Sequence, residues 1–235
     1  LEKTIAVCRA TIARAQQEQL RIVALGIATQ RATAVLWDTR SGRAIVPAMV
    51  WQDTRYVSEL SALAPAWDKT LLEQVGRPVG VRSPYLWAAR HLRDMPEVAE
   101  AFRAGSLAFG TIDTWLLWHL STERACVTTP TNATSASAYV LAGHRYHLGW
   151  LDALGFPHTL LPALRQDADD FGRTRAELLG IDIELSDLEE DDLLDNALVV
   201  AGAANASHEP TDGCPWITCP QFIWSSAEPC AKESM

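Results

Sequence analysis

Residues 26–55 read GIATQRATAVLWDTRSGRAIVPAMVWQDTR, two apolar runs either side of a Thr-Arg-Ser-Gly turn. Gln30 and Arg31 border the first run, and Trp51, Gln52, Asp53 and Arg55 border the second. These side chains suit the recognition of hydroxyl groups. Arg31 offers five donors in a rigid fork that fits hydroxyls, carboxylate or phosphate. Gln30 and Gln52 each supply a donor and an acceptor. Trp51 presents a flat apolar face on which the C–H groups of a sugar or polyol can pack. Taken singly, each residue also fits a structural role: Asp53 could only cap a helix, and Trp51 could only fill the core. Open α/β sheets bind ligands at the ends of their strands, so several such residues on strand borders point to a polyol site.

The elements that must position them follow from periodicity. Residues 1–21 carry Ile5, Cys8, Ile12 and Ala15 at helical spacing. RIVALGIAT reads as a buried strand rich in branched residues, TAVLWD as a second and RAIVPAMVW as a third. The last two are expected to pair as a hairpin through a loop containing Gly42, with Pro47 marking an edge or a bulge. A helical pattern runs from Thr54 to Val75, and loop follows over GRPVGVRSP. Ser83 is placed to cap a helix from Pro84 to Arg93. Pro96 opens another helix and Gly105 follows its end. A short strand to Phe109 precedes a helix from Asp113, and TTPTNATSASAYVL is polar and turn-rich before a short strand. LGWLDALGF and RTRAELLGI are small helical pieces, and LVVAGAANAS is a strand followed by a small-residue turn. Alternating strands and helices indicate an α/β fold. Residues 1–207 are assigned to one domain, and the proline-rich, aperiodic stretch 208–235 is expected to be irregular or disordered.

Composition narrows the function classes. The chain has 235 residues, 48 % of them hydrophobic, which is enough for a substantial core. Its net charge is −9 and its pI about 5.1, a balance that argues against a nucleic-acid partner. No apolar stretch approaches the ~18 residues of a membrane span, and no signal peptide opens the chain. Cys8 and Cys126 read as isolated buried thiols. Cys214, Cys219 and Cys230 lack the paired spacing of a zinc site, so no metal ligands are assigned. The cytoplasm is the expected compartment.

Four segments carry a resemblance. The stretch 26–55 is similar to the G-I-x-x-Q-R-x-T-x-V-x-W-D to V-W-Q-D-x-R region of the FGGY carbohydrate kinases of the glycerol kinase type. FGTIDTWLLWHLS, VTTPTNATSASAYVL and LGWLDALGFPHTLLPALRQDADDFGRT follow in the order and spacing of that family. The resemblance covers roughly residues 1–205. It implies an RNase H-like fold of the actin and hexokinase type, a mixed sheet with flanking helices, and transfer of the γ-phosphoryl of ATP to a polyol or sugar hydroxyl. It implies that Arg31 contacts substrate hydroxyls and that the substrate carbon chain packs on Trp51, with Gln30 and Asp53 in support. Mg-ATP is the implied cofactor.

The sequence departs from the family pattern at four places. Ala32 stands where the family has a glutamate that binds a substrate hydroxyl, and Arg82 falls near its substrate tyrosine. Asn205 takes the place of the aspartate that acts as general base. An amide cannot accept the proton, and a general base contributes about 10²–10⁴-fold in rate. The D-x-G-T segment that handles phosphate and Mg²⁺, and the glycine-rich nucleotide segments, have no counterpart in these residues. The expectation is a kinase domain that is inactive by itself, with a catalytically silent binding module as the alternative. A homodimer would cover sheet edges left unpaired by missing first strands.

Overall fold

The computed structural model describes residues 1–20, 22, 24–166 and 169–186, and beyond them the strands 197–202, 216–219 and 222–225. In chain order the elements begin with α1 (Glu2–Gln17), β1 (Ala24–Thr29), β2 (Ala34–Asp38), α2 (Val57–Val75), α3 (Pro84–Asp94), α4 (Pro96–Arg103), β3 (Leu107–Thr111) and α5 (Ile112–Leu120). They continue with β4 (Val127–Thr128), α6 (Pro130–Ser135), β5 (Tyr139–Val140), β6 (Arg145–Tyr146), α7 (Leu148–Leu154), β7 (Ala163–Leu164), β8 (Asp170–Arg173) and α8 (Ala176–Leu179). The last are β9 (Glu184–Ser186), β10 (Ala197–Gly202), β11 (Trp216–Cys219) and β12 (Phe222–Ser225). The chain divides into two compact units, one formed by residues 1–29, 120–123 and 168–235, the other by 30–119 and 124–167.

The first unit is a mixed sheet of six strands in the order β11-β12-β10-β1-β9-β8. β1 lies parallel to β10, Ala24 opposite Ala197 through Thr29 opposite Gly202, and parallel to β9 on its other side. The run ALGIAT, apolar up to Thr29, suits this central strand, which pairs on both edges. Helix α1 buries Cys8, Ile12 and Ala15, and Arg9 Nε donates to the Leu178 carbonyl of α8 at 2.5 Å. Burial pushes the Cys8 thiol up to about 12, the behaviour of an inert core thiol.

Within the stretch expected to be irregular, the described residues 216–219 and 222–225 form strands, and the rest of it lies outside the described residues. β12 pairs antiparallel with β10, and β11 pairs antiparallel with β12, from Trp216 opposite Ser225 to Cys219 opposite Phe222. The prolines hid two four-residue runs, WITC and FIWS, whose branched and aromatic residues suit strands. These two strands belong to the same six-stranded sheet as β1.

The second unit holds the larger core, with Leu36, Leu60, Leu71, Leu86, Trp87, Trp150 and Leu151 all at most 2 % exposed. The expected hairpin is kept only as a thin antiparallel pairing, and β2 has a second partner on its opposite edge. β2 pairs antiparallel with β3, Ala34 opposite Thr111 through Asp38 opposite Leu107. Residues 44–49 touch the other edge of β2 only through two isolated bridges, Trp37 with Ala44 and Ala34 with Met49. Pro47 lies between them and has no N–H to give to a ladder. The turn itself is as expected. Gly42 adopts φ +71, and an added Cβ there would meet His119 Cε1 at 3.0 Å.

Helix boundaries follow their local signals. Ser83 Oγ accepts from the Leu86 N–H at the start of α3, and Pro96 occupies the first turn of α4. Residues 130–135, expected as turn, form α6. Thr129 supplies its N-cap and Pro130 its first position, a start signal within a polar segment. Among the described residues no helix is long and apolar enough to cross a membrane.

Candidate functional site

In the second unit an open hollow of about 450 Å³ is lined by Gln30, Arg31, Ala32, Trp51, Arg77, Arg82, Thr134 and Ser135. Four segments distant in sequence contribute to it, and each is held by a local device.

Residues 30–33 lead into β2. Gln30 Nε2 donates to Thr33 Oγ1 at 2.7 Å, fixing the amide. Thr33 is 2 % exposed, and its carbonyl accepts from the Ile112 N–H at 3.1 Å. Ala32 has φ +60, a left-handed conformation that costs a residue bearing a Cβ roughly 1–2 kcal/mol. Such strain persists only where the surroundings hold it, and it gathers at functional sites. Ala32 brings only a methyl group to the wall.

Trp51 stands in a turn closed by the Asp53 N–H donating to the Val50 carbonyl at 2.9 Å. The indole is 45 % exposed, so it is not a core residue. Arg77 follows Gly76, whose φ of +80 ends α2 in the left-handed conformation and redirects the chain. Arg77 Nη1 donates to the Ser135 carbonyl at 3.3 Å. Arg82 precedes the Ser83 cap of α3. Its guanidinium lies over the Trp51 ring, 6.0 Å from the centroid, within the range of a cation–π contact.

Three guanidinium groups therefore meet at one surface, and no Asp or Glu is among its lining residues. Burial first, and then the charge of Arg82, hold Arg77 below the ordinary arginine value. The Nε of Arg82 is buried without a hydrogen-bond partner. The arrangement offers fork-like donors, an exposed aromatic face and the neutral polar groups of Gln30, Thr134 and Ser135. It can bind hydroxyls and anions together.

Of the residues singled out in the sequence, Gln30, Arg31, Trp51 and Arg82 line this one hollow. Asp53 is not among the lining residues. Its carboxylate binds Arg55 at 2.6 Å and accepts the Arg55 N–H at 3.0 Å. Burial raises the Asp53 carboxyl, but the hydrogen bonds and charge of Arg55 outweigh it and leave the group below the ordinary carboxylate value. A short acid–base spacing favours this local pair over a role in the hollow. Asn205 lies outside the described residues. Arg77, Thr134 and Ser135 were missed. Arg77 comes from a loop that carries no motif, and Thr134 and Ser135 lie in VTTPTNATSASAYVL, which carried the resemblance without singling them out; only folding brings them to Arg31. Among the described residues no group of three His, Cys, Asp or Glu could hold a metal ion.

The mixed α/β architecture, with its six-stranded sheet, is that of a known family domain. Residues 1–182 match the N-terminal domain of the FGGY family of carbohydrate kinases, and the chain belongs to that family. It is 35 % identical over 192 residues to a glycerol kinase of Alcanivorax borkumensis, covering 80 % of this chain and 38 % of that one. It is 36 % identical over 193 residues to a glycerol kinase of Thermus brockianus, covering 80 % and 39 %. The fold superposes with a TM-score of 0.65 on a crystal structure of Plasmodium falciparum glycerol kinase with ADP, at 21 % identity, covering 81 % of this chain and 39 % of that one. The chain thus spans less than two fifths of the length of these relatives.

Proposed function

We propose that residues 1–207 are part of the substrate-holding domain of a cytoplasmic, glycerol-kinase-like enzyme. The complete enzyme transfers the γ-phosphoryl group of ATP to a hydroxyl of a polyol or sugar. One observation carries this reading: Arg31 and Gln30 share a single hollow with the exposed indole of Trp51. Arg31 orients hydroxyls, Trp51 receives the carbon chain, and Gln30, locked by Thr33, presents its remaining carbonyl oxygen as an acceptor. In the transfer, the hydroxyl oxygen forms a bond to phosphorus as the bond to ADP breaks, and the hydroxyl proton must leave to a base. Positioning and charge supply most of the rate in such reactions. Bound Mg-ATP would supply the phosphoryl group and neutralise its charge.

Isothermal titration of the chain with a panel of polyols and sugars tests this reading. Binding that Arg31→Ala abolishes and Asp53→Asn leaves intact is the expected result. Absence of binding across the panel, or binding indifferent to Arg31, would overturn it. The chain alone is expected to show no ATP-dependent turnover in an ADP-release assay, since by the resemblance the amide Asn205 takes the general-base position and cannot accept the hydroxyl proton.

A second reading is favoured by Asn205, which stands where the family carries its general base. On that reading the chain is a silent relic that keeps polyol affinity. Polyol binding without Mg-ATP binding supports it, and Mg-ATP binding would refute it.

A further inference from the structure

Resting on the reading of the hollow as a polyhydroxy-compound site, we propose that its occupant is an anion, a sugar carboxylate, and not a neutral polyol. The hollow gathers Arg31, Arg77 and Arg82 with no carboxylate among its lining residues. The chain as a whole is acidic, with 29 acidic residues against 20 basic ones. Several arginines elsewhere pair with carboxylates, among them Arg14, Arg55, Arg90, Arg93, Arg103, Arg173 and Arg175, while Arg9 and Arg40 bond backbone carbonyls. Arg31, Arg77 and Arg82 form none among the described residues. Arg77 meets only a backbone carbonyl, that of Ser135, and Arg82 keeps a buried Nε without a partner.

Like charges brought together disfavour one another, and the effect is visible in the depressed Arg77 guanidinium, where the charge of Arg82 adds to burial. An anion in the hollow relieves this repulsion and meets the unpaired donors at once. A neutral polyol would leave the half-buried Arg77 and Arg82 and the exposed Arg31 without a counter-charge. Shape narrows the anion further. The Trp51 face, the Gln30 amide and the Thr134 and Ser135 segment surround the arginines with groups suited to a hydroxylated carbon chain. A bare anion would leave these unused.

Isothermal titration of the 235-residue chain with a six-carbon aldonate, the alditol of the same length and inorganic phosphate tests the proposal. The aldonate is expected to bind at least about tenfold more tightly than the alditol, since hydrogen bonds to charged groups are the stronger ones. Its affinity is expected to fall as sodium chloride is raised. Arg77→Gln and Arg82→Gln, each checked for folding by circular dichroism, should each weaken the aldonate by about tenfold and the alditol far less. Alditol binding equal to or tighter than aldonate binding would overturn the carboxylate assignment and leave the polyhydroxy site standing. Phosphate binding as tightly as the aldonate would also overturn it, since charge alone would then suffice. If neither aldonate nor alditol bound, the polyhydroxy reading itself would fail together with the assignment.

Discussion

The Arg82 guanidinium lies over the exposed Trp51 indole at 6.0 Å from its centroid, joining the loop before α3 to the turn at Val50–Asp53. Cation–π contacts at exposed sites are worth about 0.5–1 kcal/mol. Trp51→Ala is therefore expected to lower unfolding free energy by no more than about 1 kcal/mol, while removing most of the affinity for a polyhydroxy ligand. Urea denaturation and calorimetric titration on the same preparation separate the two effects. A large loss of stability would mean that the indole serves the core after all.

Ala32 sits at φ +60 in the wall of the hollow. Ala32→Gly removes the clash of its Cβ with the carbonyl, partly offset by the greater freedom of glycine when unfolded. A gain of about 0.5–1 kcal/mol is expected in the denaturation midpoint with an unchanged slope. A loss of stability would show that the surroundings depend on the methyl group more than the backbone suffers from it.

Asp113 is 3 % exposed, and Thr128 Oγ1 donates to its Oδ2 at 2.7 Å. Burial raises its carboxyl above the ordinary value, and the hydrogen bonds from Thr111 and Thr128 pull the other way without cancelling it. As pH rises, the unfolded chain releases this proton before the folded one does. The contribution of Asp113 to stability is thus fully present below a pH of about 4. It declines from there up to the raised folded value and then levels off. Asp113→Asn should remove that decline. Denaturation midpoints of the two proteins across pH 4–7, compared as a difference, read it directly, and parallel curves would contradict the assignment.

Gly110 of β3 leaves no room for a side chain, since an added Cβ would meet Thr114 Cβ and Cγ2 at 2.5 Å. Gly110 also lies opposite Val35 in the β2–β3 pair. Gly110→Ala is expected to cost about 1–3 kcal/mol, the usual range for overpacking. Gly110→Ala combined with Thr114→Ser should recover part of the loss by removing Cγ2. Thermal unfolding of the single and double variants checks the pairing.

Local chemistry was legible wherever it acts within a few residues. Ser83 before Pro84 named the start of α3, Pro96 named the start of α4, and the spacing of Cys8, Ile12 and Ala15 named the buried face of α1. The order of four segments was enough to indicate the family, because their residue types recur at fixed distances along the chain. Gln30, Arg31 and Trp51 stood out for the same reason.

What the chain could not announce was the choice of partner across long separations. TAVLWD and RAIVPAMVW look like two arms of a hairpin, yet β2 takes β3, some seventy residues away, as its ladder partner. A strand pattern records which face is apolar and says nothing about which edge will supply the matching N–H and C=O groups. Pro47 takes a donor from the nearer arm, which keeps two isolated bridges, and β3 supplies the regular ladder on the opposite edge. Asp53 went to Arg55 for the converse reason, since a neighbour two residues away is reached at almost no entropic cost. Arg77, Thr134 and Ser135 reach the hollow only because Gly76 turns the chain and α6 ends beside it. The residue types were written in the sequence, but the accumulation of uncompensated positive charge at one surface exists only in three dimensions, where electrostatic energy depends on distance through space and not along the chain.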